Sequence, residues 1–364
     1  MRRMSDSVIQ GQGKRLLHLD LLRLMAIVLV IFNHTGDRGY MLFLNQTESP
    51  LYGLYMMLSV FCKIAVPLFF MISGALLLPK EESLKQLFSK RILRMALVLL
   101  LISVPYYLWL QRMNGLSVEG FFTHIYSQSA STSLWYLYSY IALLFMLPFL
   151  RSMVKNLKRE DFLFLFVGHL VLTGVLPCME FALWKGSVTI HESFAPVLLV
   201  TQNVFYALMG YFCEHVADIE KRNAKAMWLG IGASAAAIGL TCLMTNWKIM
   251  VIRGGAEEAE QFFHCFLSIP TLTVYCLAKR VAGRIKNQGL QKWLPIIGSA
   301  VFGVYLIEKF VRSLTSIVYT VLAPVAGSMI ASLLWCITVL CVSLLIVLFF
   351  KHIPVFKNLV NRLI

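Results

Sequence analysis

The sequence predicts an all-α integral membrane protein: one polytopic bundle of about ten transmembrane helices spanning residues 1–364, with both termini cytoplasmic. Three observations predict it. The 364 residues are 59% hydrophobic and 14% charged, with mean hydropathy +0.73, whereas a soluble domain is about 45–50% apolar and ~25% charged. Ten stretches approach the ~20 mostly apolar residues that a spanning helix needs. The connections between them alternate between rich and poor in Lys and Arg, as the positive-inside rule requires. The apolar fraction excludes a soluble enzyme, a disordered chain and a small disulfide scaffold. A net charge of +15 would point to nucleic acid in a soluble protein. In a chain this apolar it encodes orientation, and no nucleic-acid partner is expected.

The spans fall at about 17–36, 52–78, 92–111, 133–150, 161–181, 196–214, 226–245, 262–279, 294–316 and 328–350. The first follows a basic tail, 1–16, and ends in Phe32-Asn33-His34-Thr35. It has no small-x-small cleavage site and is expected to stay in the mature chain. The second contains Pro67, which should kink it and free backbone carbonyls. Between the second and third, residues 79–91 place Leu84, Leu87 and Phe88 at helical spacing among basic residues, with Ile92 just beyond. That pattern predicts an amphipathic interfacial connection. The fourth opens on Leu134-Trp135, and the seventh is rich in Gly and Ala, which suits close helix packing. The ninth carries Glu308, Lys309 and Arg312. On this path the cytoplasmic side holds 24 Lys and Arg, against five on the other side: Arg38, Arg112, Lys185, Lys248 and Arg253. No connection is long enough for a soluble domain. The eight cysteines contain no CxxC pair and fit small apolar packing residues, with Cys178–Cys265 the one pairing to consider near the outer face. No metal site is expected.

An ionisable side chain in a span costs about 2.5–3.5 kcal/mol on insertion scales, so each one marks function or buried pairing. Arg23 and His34 are eleven residues apart, which places them on one helix face, roughly 16 Å apart along it. Asp20, three residues before Arg23, lies on nearly the same face. The stripe is either a self-neutralising Asp20–Arg23 pair with an interfacial histidine, or a lined channel. Lys63 either snorkels outward or supplies positive charge to an outer cavity. Ser73-Gly74 permits close helix packing or close approach of a ligand. Arg91 and Arg94, at i and i+3, either hold anionic lipid or form a two-pronged phosphate clamp. Glu308 and Arg312, at i and i+4, neutralise each other, or Glu308 orients His34 or an acceptor. Trp135 is an interfacial anchor or a platform on which a sugar ring stacks.

Four segments resemble the acyltransferase-3 family of integral-membrane acyltransferases. Leu19-Asp20-Leu21-Leu22-Arg23-Leu24-Met25-Ala26 followed by His34 reproduces the family's Arg-x10-His pattern. Lys63-Ile64-Ala65-Val66-Pro67 through Ser73-Gly74, the Arg91-x-x-Arg94 pair and Leu134-Trp135-Tyr136-Leu137 match in order. Ile297-Gly298 through Tyr305-Leu306-Ile307 is a weaker match. Two positions depart: Glu308 stands where the family often has His after Tyr-Leu-Ile, and Ser133 where a histidine often precedes Leu-Trp. Those departures weaken any catalytic role for span nine or Ser133.

The resemblance implies an enzyme of the bacterial plasma (inner) membrane, similar to surface-polysaccharide O-acetyltransferases. It would move an acyl group, usually acetyl, from cytoplasmic acetyl-CoA to a hydroxyl of an extracytoplasmic envelope glycan or glycolipid. On that expectation Arg91 and Arg94 dock the donor phosphates, Arg23 lines the lower channel with Asp20 holding it, and His34 is the general base. Lys63 and Ser73 are candidates for the oxyanion. The outer connections 37–51, 112–132, 182–195 and 246–261 would set the acceptor. A transporter or flippase of glycan or lipid, and an inactive glycan-binding relative, are the rival readings.

Overall fold

Runs of Leu, Ile, Val, Met and Phe leave the backbone one way to satisfy its own polar groups in hydrocarbon within a single segment, the α-helix. The computed structural model describes residues 16–111, 115–191, 193–219, 224–252 and 259–352, and among them there is no β-strand. The N-terminal tail, except Leu16, and Lys357 and Arg362 near the C-terminus lie outside the described residues, as do Arg112, Lys221, Arg222 and Arg253.

In chain order the principal helices are α1 (Leu17–Asn33), α2 (Tyr52–Cys62), α3 (Ala65–Leu77), α4 (Leu84–Leu110), α5 (Val118–Ser127), α6 (Trp135–Val154), α7 (Arg159–Trp184), α8 (Gln202–Tyr211), α9 (Ala224–Ile252), α10 (Ser268–Ala282), α11 (Gln288–Leu314), α12 (Ser316–Ala326) and α13 (Ser328–His352). Seven segments among the described residues are long and apolar enough to cross a membrane: α2 with α3, α4, α6, α7, α9, α11 and α13. The first, sixth and eighth spans expected from sequence correspond to shorter helices, α1, α8 and α10.

The departures from expectation have local causes. Pro67 sits in the first turn of α3, where its missing N–H breaks no bond, and the chain is interrupted at Lys63-Ile64 instead. A proline ring clashes with the carbonyl four residues earlier, which here belongs to Lys63. The segment 79–91 does not form a separate interfacial helix. Residues 80–83 are coil, and Ser83 and Gln86 close a reciprocal capping box. The helix then runs through a five-residue π-turn, Phe88–Ile92, into the apolar part of α4. The eighth span begins late because 262–267 forms turns: Phe262 and Phe263 are enclosed and Phe266 has φ 56°. The ninth continues past a break at Thr315, whose hydroxyl accepts from Trp335 Nε1 at 3.1 Å, so that α11 and α12 together run antiparallel to α13.

α1 occupies the centre, packed against α2, α3, α10, α11 and α13. The ionisable groups of α1 therefore meet protein rather than lipid. α3 crosses α8 at van der Waals distance through two glycines, Gly74 facing the backbone of Ala207 and Gly210 facing that of Met71. Gly74 is therefore a packing residue and is not open to a ligand.

Candidate active site

One cavity of about 2070 Å³ runs through the molecule. Its walls come from α1, α3, α6 and α11, whose small and aromatic side chains leave the interior unfilled. One end is lined by Asn33, His34, Lys63, Ser133, Trp135 and His264, and the other by Lys80, Glu81, Glu82, Glu214, His215 and Lys351. Arg23, Ser73, Tyr136 and Tyr140 lie between them. Seven of the sites expected from sequence can be placed against this cavity. Arg23, His34, Lys63, Ser73 and Trp135 line it; Asp20 and Glu308 stand directly behind lining residues.

His34 caps the C-terminus of α1, its backbone N–H donating to Val30 O at 3.0 Å. Its Nδ1 lies 2.7 Å from Glu308 Oε1, and Arg312 Nε donates to the other carboxylate oxygen at 3.3 Å. Glu308 is 0% exposed. A fully buried carboxylate needs its charge matched, and here one imidazole and one guanidinium share it. The carboxylate can accept but not donate, which places the proton of a neutral imidazole on Nδ1 and leaves the Nε2 lone pair available. Among the described residues no side chain bonds Nε2. Both sequence alternatives for Glu308 thus coexist: it pairs with Arg312 and it touches His34. The Ile307-Glu308 departure is expected to weaken any catalytic role for span nine, and the structure places Glu308 against His34. Span nine is also wired to the start of α6. Tyr305 donates to Ser133 O at 2.6 Å, and Lys309 donates to Ser131 Oγ at 2.8 Å, which is 2.9 Å from Ser133 Oγ.

Lys63 does not snorkel. Its ammonium is 2.8 Å from Glu260 Oε2 and 4.8 Å from the Tyr40 ring centroid, a cation–π position. Glu260 lies in the expected outer connection 246–261 and His264 at the start of the expected eighth span, just before α10, and neither is singled out from sequence. Their only signal was polarity at the span's edge.

Further along the cavity, Arg23 donates to Asp20 Oδ1 at 2.6 Å, and Asp20 is fully buried. The carboxylate lies on Gly298, where a β-carbon would stand 2.7 and 2.8 Å from the Asp20 Cγ and Cβ. The glycine of the Ile297-Gly298 segment is thus explained by the acid opposite. Ser73 Oγ donates back to Phe69 O at 2.8 Å.

The basic end differs from expectation. Neither Arg91 nor Arg94 lines the cavity. Arg91 Nε donates to Glu82 Oε2 at 2.8 Å and Oε1 at 3.1 Å, and its Nη2 also donates to Oε1. Arg151 Nη2 donates to Glu82 Oε2 at 3.0 Å while its Nε donates to Leu77 O at 3.0 Å. Hydrogen bonding from Arg91 above all, with Arg151, holds the Glu82 carboxyl down to about 2. Arg94, one turn on, lies near Tyr140. The π-turn directs Arg91 to the coil at 80–83, where it meets Glu82. A second node, which sequence reading missed, joins Glu214 to His18 at 3.0 Å, Lys279 at 3.2 Å and Tyr275 at 2.9 Å. It ties α1, α8 and α10 together. The thiols of Cys178 and Cys265 are both free and pack in one apolar cluster.

No curated protein and no solved structure matches the chain. A family model described as an acyltransferase domain matches residues 16–352, nearly its whole length. With helices able to cross a membrane and this match over nearly the full chain, the protein belongs to the acyltransferase-3 family and is a multi-pass membrane acyltransferase.

Proposed function

We propose that the chain moves acetyl, or another small acyl group, from cytoplasmic acetyl-CoA to a hydroxyl of an extracytoplasmic envelope glycan or glycolipid. In this reading it crosses the bacterial inner membrane ten times with both termini in the cytoplasm. The observation that carries it is the cavity joining His34, backed by the buried Glu308, to a basic mouth. A donor entering at Lys80 and Lys351 would extend past Arg23 and present its thioester near His34.

The chemistry follows from the residues. His34 Nε2 takes the proton of the acceptor hydroxyl as the oxygen attacks the thioester carbonyl carbon. Glu308 holds the imidazole in the required tautomer and stabilises the imidazolium that forms, as a carboxylate does behind a catalytic histidine. The tetrahedral oxyanion meets Lys63 as its positive partner. The C–S bond then breaks, its electron pair goes to sulfur, and the imidazolium returns the proton to the leaving thiolate. The products are the ester and the coenzyme A thiol. Trp135, 47% exposed at the His34 end, offers a ring face for a sugar.

The test is acyl transfer by the purified protein, read as thiol release from acetyl-CoA that depends on a glycan acceptor. Acceptor-dependent release in wild type, lost in His34→Ala, supports the reading. The continuous cavity also suits a carrier of glycan or lipid. Substrate movement in proteoliposomes without acetyl-CoA would replace the proposal with that one.

A further inference from the structure

The basic mouth combines fixed cations with a movable anion. Arg91 sits in the π-turn of α4, and π-turns concentrate at functional sites. Arg151 sits on α6, and its guanidinium is anchored through Leu77 O. Glu82, which joins them, sits on coil just before the Ser83 cap, so its side chain can swing without unwinding a helix. It lines the cavity with Lys80, and its side chain is 21% exposed. Three cations, Lys80, Arg91 and Arg151, therefore gather around one carboxylate, while neighbouring Glu81 is matched by Lys155 at 2.9 Å on the surface. Two guanidinium groups converging on two oxygens is the geometry that recognises phosphate as well as carboxylate.

We infer that Lys80, Arg91 and Arg151 form a phosphate-ester site at the basic mouth, and that Glu82 occupies it as an internal stand-in anion which the ligand's phosphate displaces. The inference rests on the donor reading for the phosphate's source. An anionic lipid headgroup offers the same phosphate oxygens, as a singly charged diester. Arg151, absent from the sequence motifs, becomes a binding residue, and Glu82 becomes a competitor that lowers apparent affinity. A phosphate monoester carries more charge than a carboxylate, so the exchange satisfies three cations better than Glu82 does alone.

The full-length protein in nanodiscs of zwitterionic lipid is titrated with coenzyme A, and the titration is repeated with phosphatidylglycerol in the bilayer. Glu82→Gln is expected to lower the coenzyme A Kd about fivefold, and Arg151→Met to raise it about tenfold. Glu82→Asp, which keeps the charge but withdraws it by one methylene, is expected to give a smaller drop, and it serves where Glu82→Gln does not fold. An unchanged or higher Kd in folded Glu82 variants overturns the exchange and leaves the donor reading standing. If neither wild type nor variants bind coenzyme A, the donor reading falls and the site is judged on lipid alone. Phosphatidylglycerol retained more by Glu82→Gln and lost by Arg151→Met keeps the site, and equal retention removes it.

Discussion

The two ends of the cavity hold carboxylates in opposite ways. At the His34 end Glu308 is sealed in α11, 0% exposed, with both oxygens committed to partners on fixed helix positions. At the basic end Glu82 rides on coil at the wall of the cavity, and its cations are the rigid partners. A sealed carboxylate fixes the orientation of the histidine beside it. A carboxylate on coil can turn away from its cations. On the proposed function, chemistry belongs to the first end and ligand entry to the second.

The sharpest way to break that assignment is at His34. His34→Ala is expected to lower acyl transfer at least 10³-fold in protein that still folds, measured as acceptor-dependent thiol release. Activity within tenfold of wild type would move the chemistry away from this end. Glu308→Gln comes next. As a positioning residue behind His34 it is expected to cost about 10²-fold in kcat while the KM for acetyl-CoA stays within about twofold. Glu308→Asp should recover part of the loss, because it restores the charge if not the full reach. A Glu308→Gln effect confined to KM would show that the pair serves binding instead.

The middle of the stripe tests packing rather than catalysis. Gly298→Ala places a methyl against the buried Asp20 carboxylate and must displace the Arg23–Asp20 pair. The expected cost is about 1–3 kcal/mol, seen as a lower melting temperature in detergent. Gly232→Ala in α9, where a β-carbon meets nothing within 4 Å, is the control, expected to be neutral or stabilising by about 1 kcal/mol. Equal effects at the two glycines would contradict the close Gly298–Asp20 approach.

What sequence made legible follows the reach of its signals. The Asp20–Arg23 pair and the shared face of Arg23 and His34 depend on helical periodicity within one span, and both appear in the structure. The same holds for Glu308 with Arg312. His34 with Glu308 is one of two alternatives the sequence leaves open. The contacts it did not reveal join residues far apart in the chain: Lys63 to Glu260, and Arg91 and Arg151 to Glu82. No periodicity encodes those. Arg91 and Arg94 look like a clamp at i and i+3, but one π-turn is enough to send Arg91 to another partner. Glu308 looked like a lost histidine because the motif was read within span nine. Its meaning lies in the residue facing it from α1.

The smallest predicted effect concerns the stability that Glu82 contributes. Its folded carboxyl, held down to about 2 chiefly by Arg91 hydrogen bonds, ionises more readily than the ordinary carboxylate of the unfolded chain. In the unfolded chain the group protonates near the ordinary glutamate value, about 4.3. A depressed folded value means that the native state binds fewer protons, so stability rises with pH across that interval. The contribution is complete above about pH 5 and is lost as pH falls from there toward 2. Comparing wild type with Glu82→Gln by melting temperature at intervals from pH 7 to pH 3 isolates it. The gap between the two is expected to be constant near neutrality and to narrow in acid. Because Glu82 faces water in the cavity, the gap is small, a few degrees at most. A large gap would mean that Glu82 is as firmly built in as Glu308, and the distinction between a sealed and an exchangeable carboxylate would then fail.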